Sequence, residues 1–293
     1  MSLGVATAGS PAAFGPRLRS AMDHFGPFCA GIDPHPRLLR EWGLPADVSG
    51  LESFAMTCVD ALAGRVAVVK PQSAFFEAYG SAGIAVLERV LAGFRGTGTL
   101  SLLDVKRGDI GSTMEAYAQA YLGPESSLRA DAITVSPYLG YGSLRPALDL
   151  AAATGRGVFV LALTSNPEGP EVQHAGGPGS SVAGSVVAGV TVDNAPAAAA
   201  GHLGSVGMVV GATVGQAVAQ LGLDLATANA PLLAPGIGAQ GATVDDLSSV
   251  FGAAVANVLP TSSREILAAG PDVAALQNAC ARAVSAVRPL TRL

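Results

Sequence analysis

The stretch SLLDVKRGDIGST at 101–113 puts Asp104, Lys106, Arg107 and Asp109 within six residues, directly behind a run of aliphatic residues. Only 13% of the chain is charged, so this density is local. A lysine flanked by two aspartates is favoured as the ammonium ion by its neighbours. Held in position, such a group can face developing negative charge and then deliver a proton. The competing reading of the same residues is a solvated loop with a surface ion pair. Where the stretch sits in the fold decides between the two.

Short apolar or β-branched runs recur along the chain, each followed by a turn and a stretch of helical length. They are PFCAGID at 27–33, RVAVVK at 65–70, TLSLLDVK at 99–106 and DAITVSP at 131–137. GVFVLALT at 157–164, GMVVGAT at 207–213, PLLAPGIG at 231–238 and AAVANVLPT at 253–261 follow. Helical patterns such as SAFFEAYGSAGIAVLERVLAGF and SLRPALDLAAATG lie between them. Near-continuous apolar strands alternating with helices indicate a parallel sheet covered on both faces. Eight such units in about 250 residues predict an α/β fold of the (β/α)8 or TIM-barrel type in a single domain. A doubly wound open sheet would usually bring a GxGxxG turn after an early strand, and none occurs there. Residues 1–14 read as a flexible tail and 15–293 as the barrel domain.

Chemistry in such barrels takes place at the C-terminal ends of the strands. Asp33, Lys70, Asp104, Lys106, Ser136, Thr164, Gly236 and Gly238 all fall at those ends, and Arg264 follows the last strand. Side chains two apart on a strand share a face, so Asp104 and Lys106 are expected to point into the mouth and Val105 outward. Asp109 falls in the following loop, just before a helix. The connection SNPEGPEVQHAGGPGSS is too long and too rich in Gly and Pro for an ordinary turn, and reads as a mobile lid or a disordered insertion. Strand seven runs into PGIGAQG, and strand eight into TSSREIL, where Thr261 or Ser262 could cap a short helix beginning near Arg264. A glycine turn, a helix N-terminus and an arginine in those two positions make a phosphate site.

Composition narrows the partners. A net charge of −5 with scattered basic residues argues against nucleic acid or a membrane surface. The mean hydropathy of +0.43 is high. Yet Gly, Ser, Thr, Pro and Asn interrupt the charge-poor part, 172–223, before any run approaches the roughly 18 apolar residues of a span. Cys29, Cys58 and Cys280 form no CxxC pair, which excludes a disulfide framework or thiolate zinc site and suits the cytoplasm. His24, His35, His174 and His202 show no ligand spacing, so no metal is expected.

The blocks DVKRGDIGST, GIDPHP, KPQSAFFEAYG, TVSPYLGYGSLRP, TSNPEGPEVQ and PGIGAQG together resemble the orotidine 5′-phosphate decarboxylase family, in its longer bacterial branch, from about Phe25 to Val287. The resemblance implies decarboxylation of orotidine 5′-phosphate to UMP, the last step of de novo pyrimidine synthesis, without metal or cofactor. It implies that Asp104, Lys106, Asp109 and Lys70 form the charged network around the reacting carbon. It also implies a homodimer in which Asp109, Ile110 and Thr113 serve the neighbouring subunit's site. Asp33 and Lys70 would contact ribose hydroxyls, Ser136 the pyrimidine, Gln173 the phosphate from the lid, and Arg264 the phosphate directly, beside the Gly236 and Gly238 turn. Glu265 departs from the branch, which tends to carry glycine there. Sugar-phosphate relatives share the D-x-K-x-x-D motif but need Mg2+ held by carboxylates, and VVKPQ offers no extra acid beside its lysine. A catalytically inert nucleotide-phosphate binder is the alternative of a different class.

Overall fold

A computed structural model describes residues 12–236 and 244–292. Eight parallel strands close into a barrel in chain order: β1 (Cys29–Ile32), β2 (Val68–Pro71), β3 (Leu100–Arg107), β4 (Ala132–Val135), β5 (Gly157–Leu163), β6 (Val206–Val210), β7 (Leu232–Pro235) and β8 (Val258–Ser262). β8 pairs back onto β1 through Cys29↔Thr261, which removes any free edge. Helices follow the strands, so each strand is apolar on both faces. Ile32, Val69, Leu103, Ile133, Val158 and Met208 pack outward under the helices. Cys29, Val68, Leu102, Ala132, Phe159, Val209, Leu233 and Leu259 point inward and fill the barrel. This parity matches the expected outward Val105, which joins the outer layer.

The N-terminal pole is closed by α1 (Phe14–Phe25). Phe14 meets Phe159 edge-on at 6.0 Å inside the barrel. The absence of a side chain at Gly157 permits this, since a Cβ there would lie 2.4 Å from the Phe14 ring. Arg17 donates to Gly155 O (2.9 Å) and pairs with Asp131, while Arg19 donates to Ala256 O (3.0 Å) and Asn257 Oδ1 (2.6 Å). These partners precede β4, β5 and β8, so α1 is tied across the bottom of the barrel. The helix begins at Phe14, one residue inside the stretch expected to be tail.

The charge-poor region forms the Val182–Ala199 helix, capped by Ser181 Oγ accepting from Gly184 N (3.0 Å). Its one charge, Asp193, accepts from both Arg145 Nη atoms (3.0 Å) and from Tyr141 OH (2.5 Å). Its buried Asn194 donates to Val206 O (2.8 Å) and Ala228 O (3.0 Å), fixing the helix to β6. Among the described residues no helix is long and apolar enough to cross a membrane.

Candidate active site

The C-terminal end of β3 is irregular. Leu103 pairs with Ile133 and Arg107 with Val135, so four residues of β3 advance against two of β4. A bulge of this kind re-aims side chains. It coincides with Lys106 at φ 45°, a left-handed backbone that is strained for any residue but glycine. The result separates the four charges of the opening stretch. Asp104 and Lys106 face the mouth, whereas Arg107 turns away to pair with Glu77 (2.7 Å).

Asp104 is the hub. Its Oδ2 accepts from Lys70 Nζ at 2.9 Å, and its Oδ1 accepts from Lys106 Nζ at 2.6 Å and from Thr134 Oγ1 at 2.7 Å. Thr134 Oγ1 in turn accepts the backbone N–H of Lys106 at 3.0 Å, bracing the strained residue. Lys70 also donates to Gln72 Oε1 at 3.3 Å. Burial alone would raise the Asp104 carboxyl, but the adjacent Lys70 and Lys106 ammonium groups outweigh it and hold it at about 2. Burial would likewise favour a neutral Lys70, yet the charges of Asp104 and Asp33 raise it above its ordinary value. The two lysines differ in access: the Lys70 side chain is 11% exposed and that of Lys106 is 45% exposed. Cys29, deep in the barrel, is pushed up to about 12 chiefly by burial and offers no thiolate.

Two adjoining recesses open at this rim and share Lys70 and Pro235 in their walls. The smaller, about 250 Å³, is walled by Asp104, Lys106, Thr134, Ser165 and Asn166. The larger, about 770 Å³, is walled by Asp33, His35, Gly236, Ser262, Ser263 and Arg264. Asp33 Oδ1 is buried there with no hydrogen-bond partner in the protein. A buried acceptor left in that state calls for a donor from a ligand. Gly236 adopts φ 114°, which admits glycine alone, and so presents bare backbone to the recess. Arg264 is exposed at its wall and, among the described residues, forms no ion pair with Glu265 or any other acid.

Several expected residues sit differently. Thr261 and Ser262 remain in β8 and cap nothing; the four-residue Arg264–Leu267 helix follows Ser263, whose side chain makes no capping bond. Ser136 lines neither recess, and its N–H donates to Arg107 O (2.8 Å). Ser165 and Asn166, after β5, line the smaller recess. The long connection after β5 is built rather than bare: it holds the Gly169–Gln173 helical turn, and Gln173 is fastened to Thr164. Thr164 N donates to Gln173 Oε1 at 2.8 Å and Gln173 Nε2 donates to Thr164 Oγ1 at 2.6 Å. Both polar ends of that amide are therefore engaged away from Arg264. Asp109 stands apart from the network and accepts the N–H of Ile110 (2.8 Å). Ile110 is 61% exposed and Thr113 is exposed as well. Gly238 lies outside the described residues. Thr134 was not anticipated; its signal was a hydroxyl at an inward position of an otherwise aliphatic strand, AITV.

Fold and site together define a (β/α)8-barrel enzyme with a lysine–aspartate network at its catalytic rim. The chain belongs to the orotidine 5′-phosphate decarboxylase / HUMPS family, whose sequence profile matches residues 26–279. It is 60% identical over 277 residues to an orotidine 5′-phosphate decarboxylase of Salinispora arenicola, covering 94% of this chain and 97% of that one. The corresponding protein of Streptomyces coelicolor is 58% identical over 277 residues, with the same coverage. A crystal structure from Streptomyces avermitilis superposes with a TM-score of 0.91 at 55% identity, covering 99% of this chain and 100% of that one. The Leishmania donovani OMP decarboxylase gives a TM-score of 0.70 at 29% identity, over 94% of this chain and 99% of that one.

Proposed function

We propose that this chain removes CO2 from orotidine 5′-phosphate to give UMP, with Lys106 as the group that stabilises and then protonates the ring carbon. Family membership and the names of relatives at 58–60% identity support the reaction. The single observation behind the residue roles is a buried carboxylate, Asp104, shared by two ammonium groups of unequal exposure.

Breaking the bond from C6 to the carboxylate leaves an electron pair in the plane of the ring, where no carbonyl can accept it. Such a pair must be met by a cation already in position. Lys106 is that cation. Asp104 and Thr134 hold it in place, and Lys70 on the other carboxylate oxygen keeps the field fixed. As CO2 departs, a proton passes from Lys106 Nζ to C6, and the resulting amine regains a proton from solvent. The wall residues Ser165 and Asn166 read the pyrimidine in place of Ser136. Asp33 Oδ1 accepts a ribose hydroxyl beside Lys70. Arg264 and the backbone at Gly236 take the phosphate, whose remote binding energy offsets crowding at the reacting end. For Gln173 to reach the phosphate, its two bonds to Thr164 must be exchanged for ligand contacts. The scheme requires neither metal nor cofactor.

The working unit in this reading is a homodimer in which Asp109, Ile110 and Thr113 complete the neighbour's site. Its support is the separation of Asp109 from its own network, and an apolar edge formed by Ile110, Tyr138 and Leu139, which are 61%, 78% and 52% exposed. The loops carrying these residues touch, as Gly108 approaches Ser136 too closely for a Cβ. Three buried, unpaired cysteines fit a cytoplasmic location. A metal-assisted enediolate reaction fits less well, because both Asp104 oxygens already hold ammonium partners; EDTA-resistant turnover separates the two.

Conversion of orotidine 5′-phosphate is followed directly by its ultraviolet absorbance. Lys106→Ala is expected to lose more than about 10³-fold in kcat with the fold intact, the combined scale of general-acid and electrostatic contributions. Unimpaired turnover by that variant would overturn the assignment.

A further inference from the structure

Of the 17 basic residues only Lys70 and Lys106 are lysines, and the other 15 are arginines. Both lysine amines of this sequence are therefore gathered on one carboxylate, that of Asp104. Arginine stays protonated in proteins, so its guanidinium does not form imines with monoaldehydes. Amine-directed chemistry thus has two addresses in the barrel, and their surroundings differ. Lys70 is 11% exposed, with Asp104 and Gln72 as partners. Lys106 is 45% exposed, has Asp104 as its one ion-pair partner among the described residues, and opens on the smaller recess, which adjoins the recess of Arg264.

We infer that Lys106 is a covalent modification site for phosphorylated aldehydes, captured through their phosphate at Arg264 and condensed at the carbonyl carbon with Nζ. The inference rests on the phosphate assignment made above. The step balances without any co-reactant: the ammonium and the aldehyde give a protonated imine and one water. The nitrogen–carbon bond replaces the carbonyl bond to oxygen. Two of the three ammonium protons leave with that oxygen, and the third stays on nitrogen with the positive charge.

Conservation of charge selects the class of reagent. A protonated imine leaves Asp104 between two cations, as in the unmodified protein. An acyl donor would make a neutral amide and leave a carboxylate whose side chain is 6% exposed with Lys70 alone, which a buried charge tolerates poorly. Binding through phosphate raises the effective concentration of the carbonyl at Nζ.

The test is to treat the native protein with pyridoxal 5′-phosphate, reduce with borohydride and map the adducts by peptide mass spectrometry. The expected result is one adduct in the barrel, on Lys106, with Lys70 unmodified and inorganic phosphate protecting. Pyridoxal without its phosphate should label at least about tenfold more slowly, and Arg264→Ala should slow the phosphorylated reagent to a similar extent, as loss of a charge-assisted contact implies. An adduct on Lys70, equal labelling by the two reagents, or labelling confined to the α-amine would overturn the inference. Turnover of orotidine 5′-phosphate by untreated protein is measured in parallel. Labelling of Lys106 without turnover sinks the functional reading alone, and turnover without labelling sinks this inference alone.

Discussion

At the scale of the residue, Asp104 combines a buried position with two cationic partners, and both facts have measurable consequences. Its folded-state carboxyl lies at about 2 against 3.8 for the free group. A depressed value stabilises the fold above the unfolded pKa, and the contribution is lost as pH falls through the folded one. It is therefore complete above about pH 4 and gone near pH 2, a change of about 2 kcal/mol. Asp104→Asn should lose stability at neutral pH, because the buried Lys70 ammonium loses its carboxylate counter-charge, but should decline less between pH 4 and 2 than the native protein. Urea denaturation across that range reads the difference. Thr134, 1% exposed, holds both the carboxylate and the backbone of Lys106. Thr134→Val strands one N–H and one carboxylate acceptor at a cost of about 1–3 kcal/mol, so kcat should fall about 10- to 100-fold with KM little changed. Thr134→Ser keeps the hydroxyl and should retain most activity; equal losses in both variants would assign the effect to packing.

At the scale of the element, the barrel separates its bottom from its rim. Phe14 is enclosed against Gly157 and Phe159, and Phe14→Ala should destabilise by about 3–5 kcal/mol while kcat of the folded protein stays near the native value. A large fall in kcat at temperatures where the variant is fully folded would contradict that separation. The strands were legible in the sequence because they are largely apolar on both faces, and several carry a polar residue toward the C-terminal end, as at Lys70 and Asp104. The period-2 rule also gave the shared inward face of Asp104 and Lys106. It could not give the bulge in β3, because a register shift depends on the partner strand and leaves no local mark. Ser136 illustrates the same gap: it directly follows β4, yet Ser165 and Asn166 after β5 line the smaller recess, and only the closed barrel reveals which loop reaches inward. Thr261 and Ser262 read as caps by type, but pairing with Cys29 and Ala30 keeps them in the strand.

At the scale of the whole molecule, the separation of Asp109 from Asp104 and Lys106 within one chain makes complementation the decisive experiment. Mixing Lys106→Ala with Asp109→Ala protein should restore activity in heterodimers, which regain one site holding both residues. Absence of recovery after demonstrated subunit exchange would contradict a shared site. Substrate, CO2 and UMP have a common doorway in any such assembly, because α1 stoppers the opposite pole. Cargo attached ahead of Phe14 would hang from the stoppered end, leaving the doorway unobstructed. Tethering by that end is the natural way to mount this protein on a support, and a linker from the rim loops is the way to choke it.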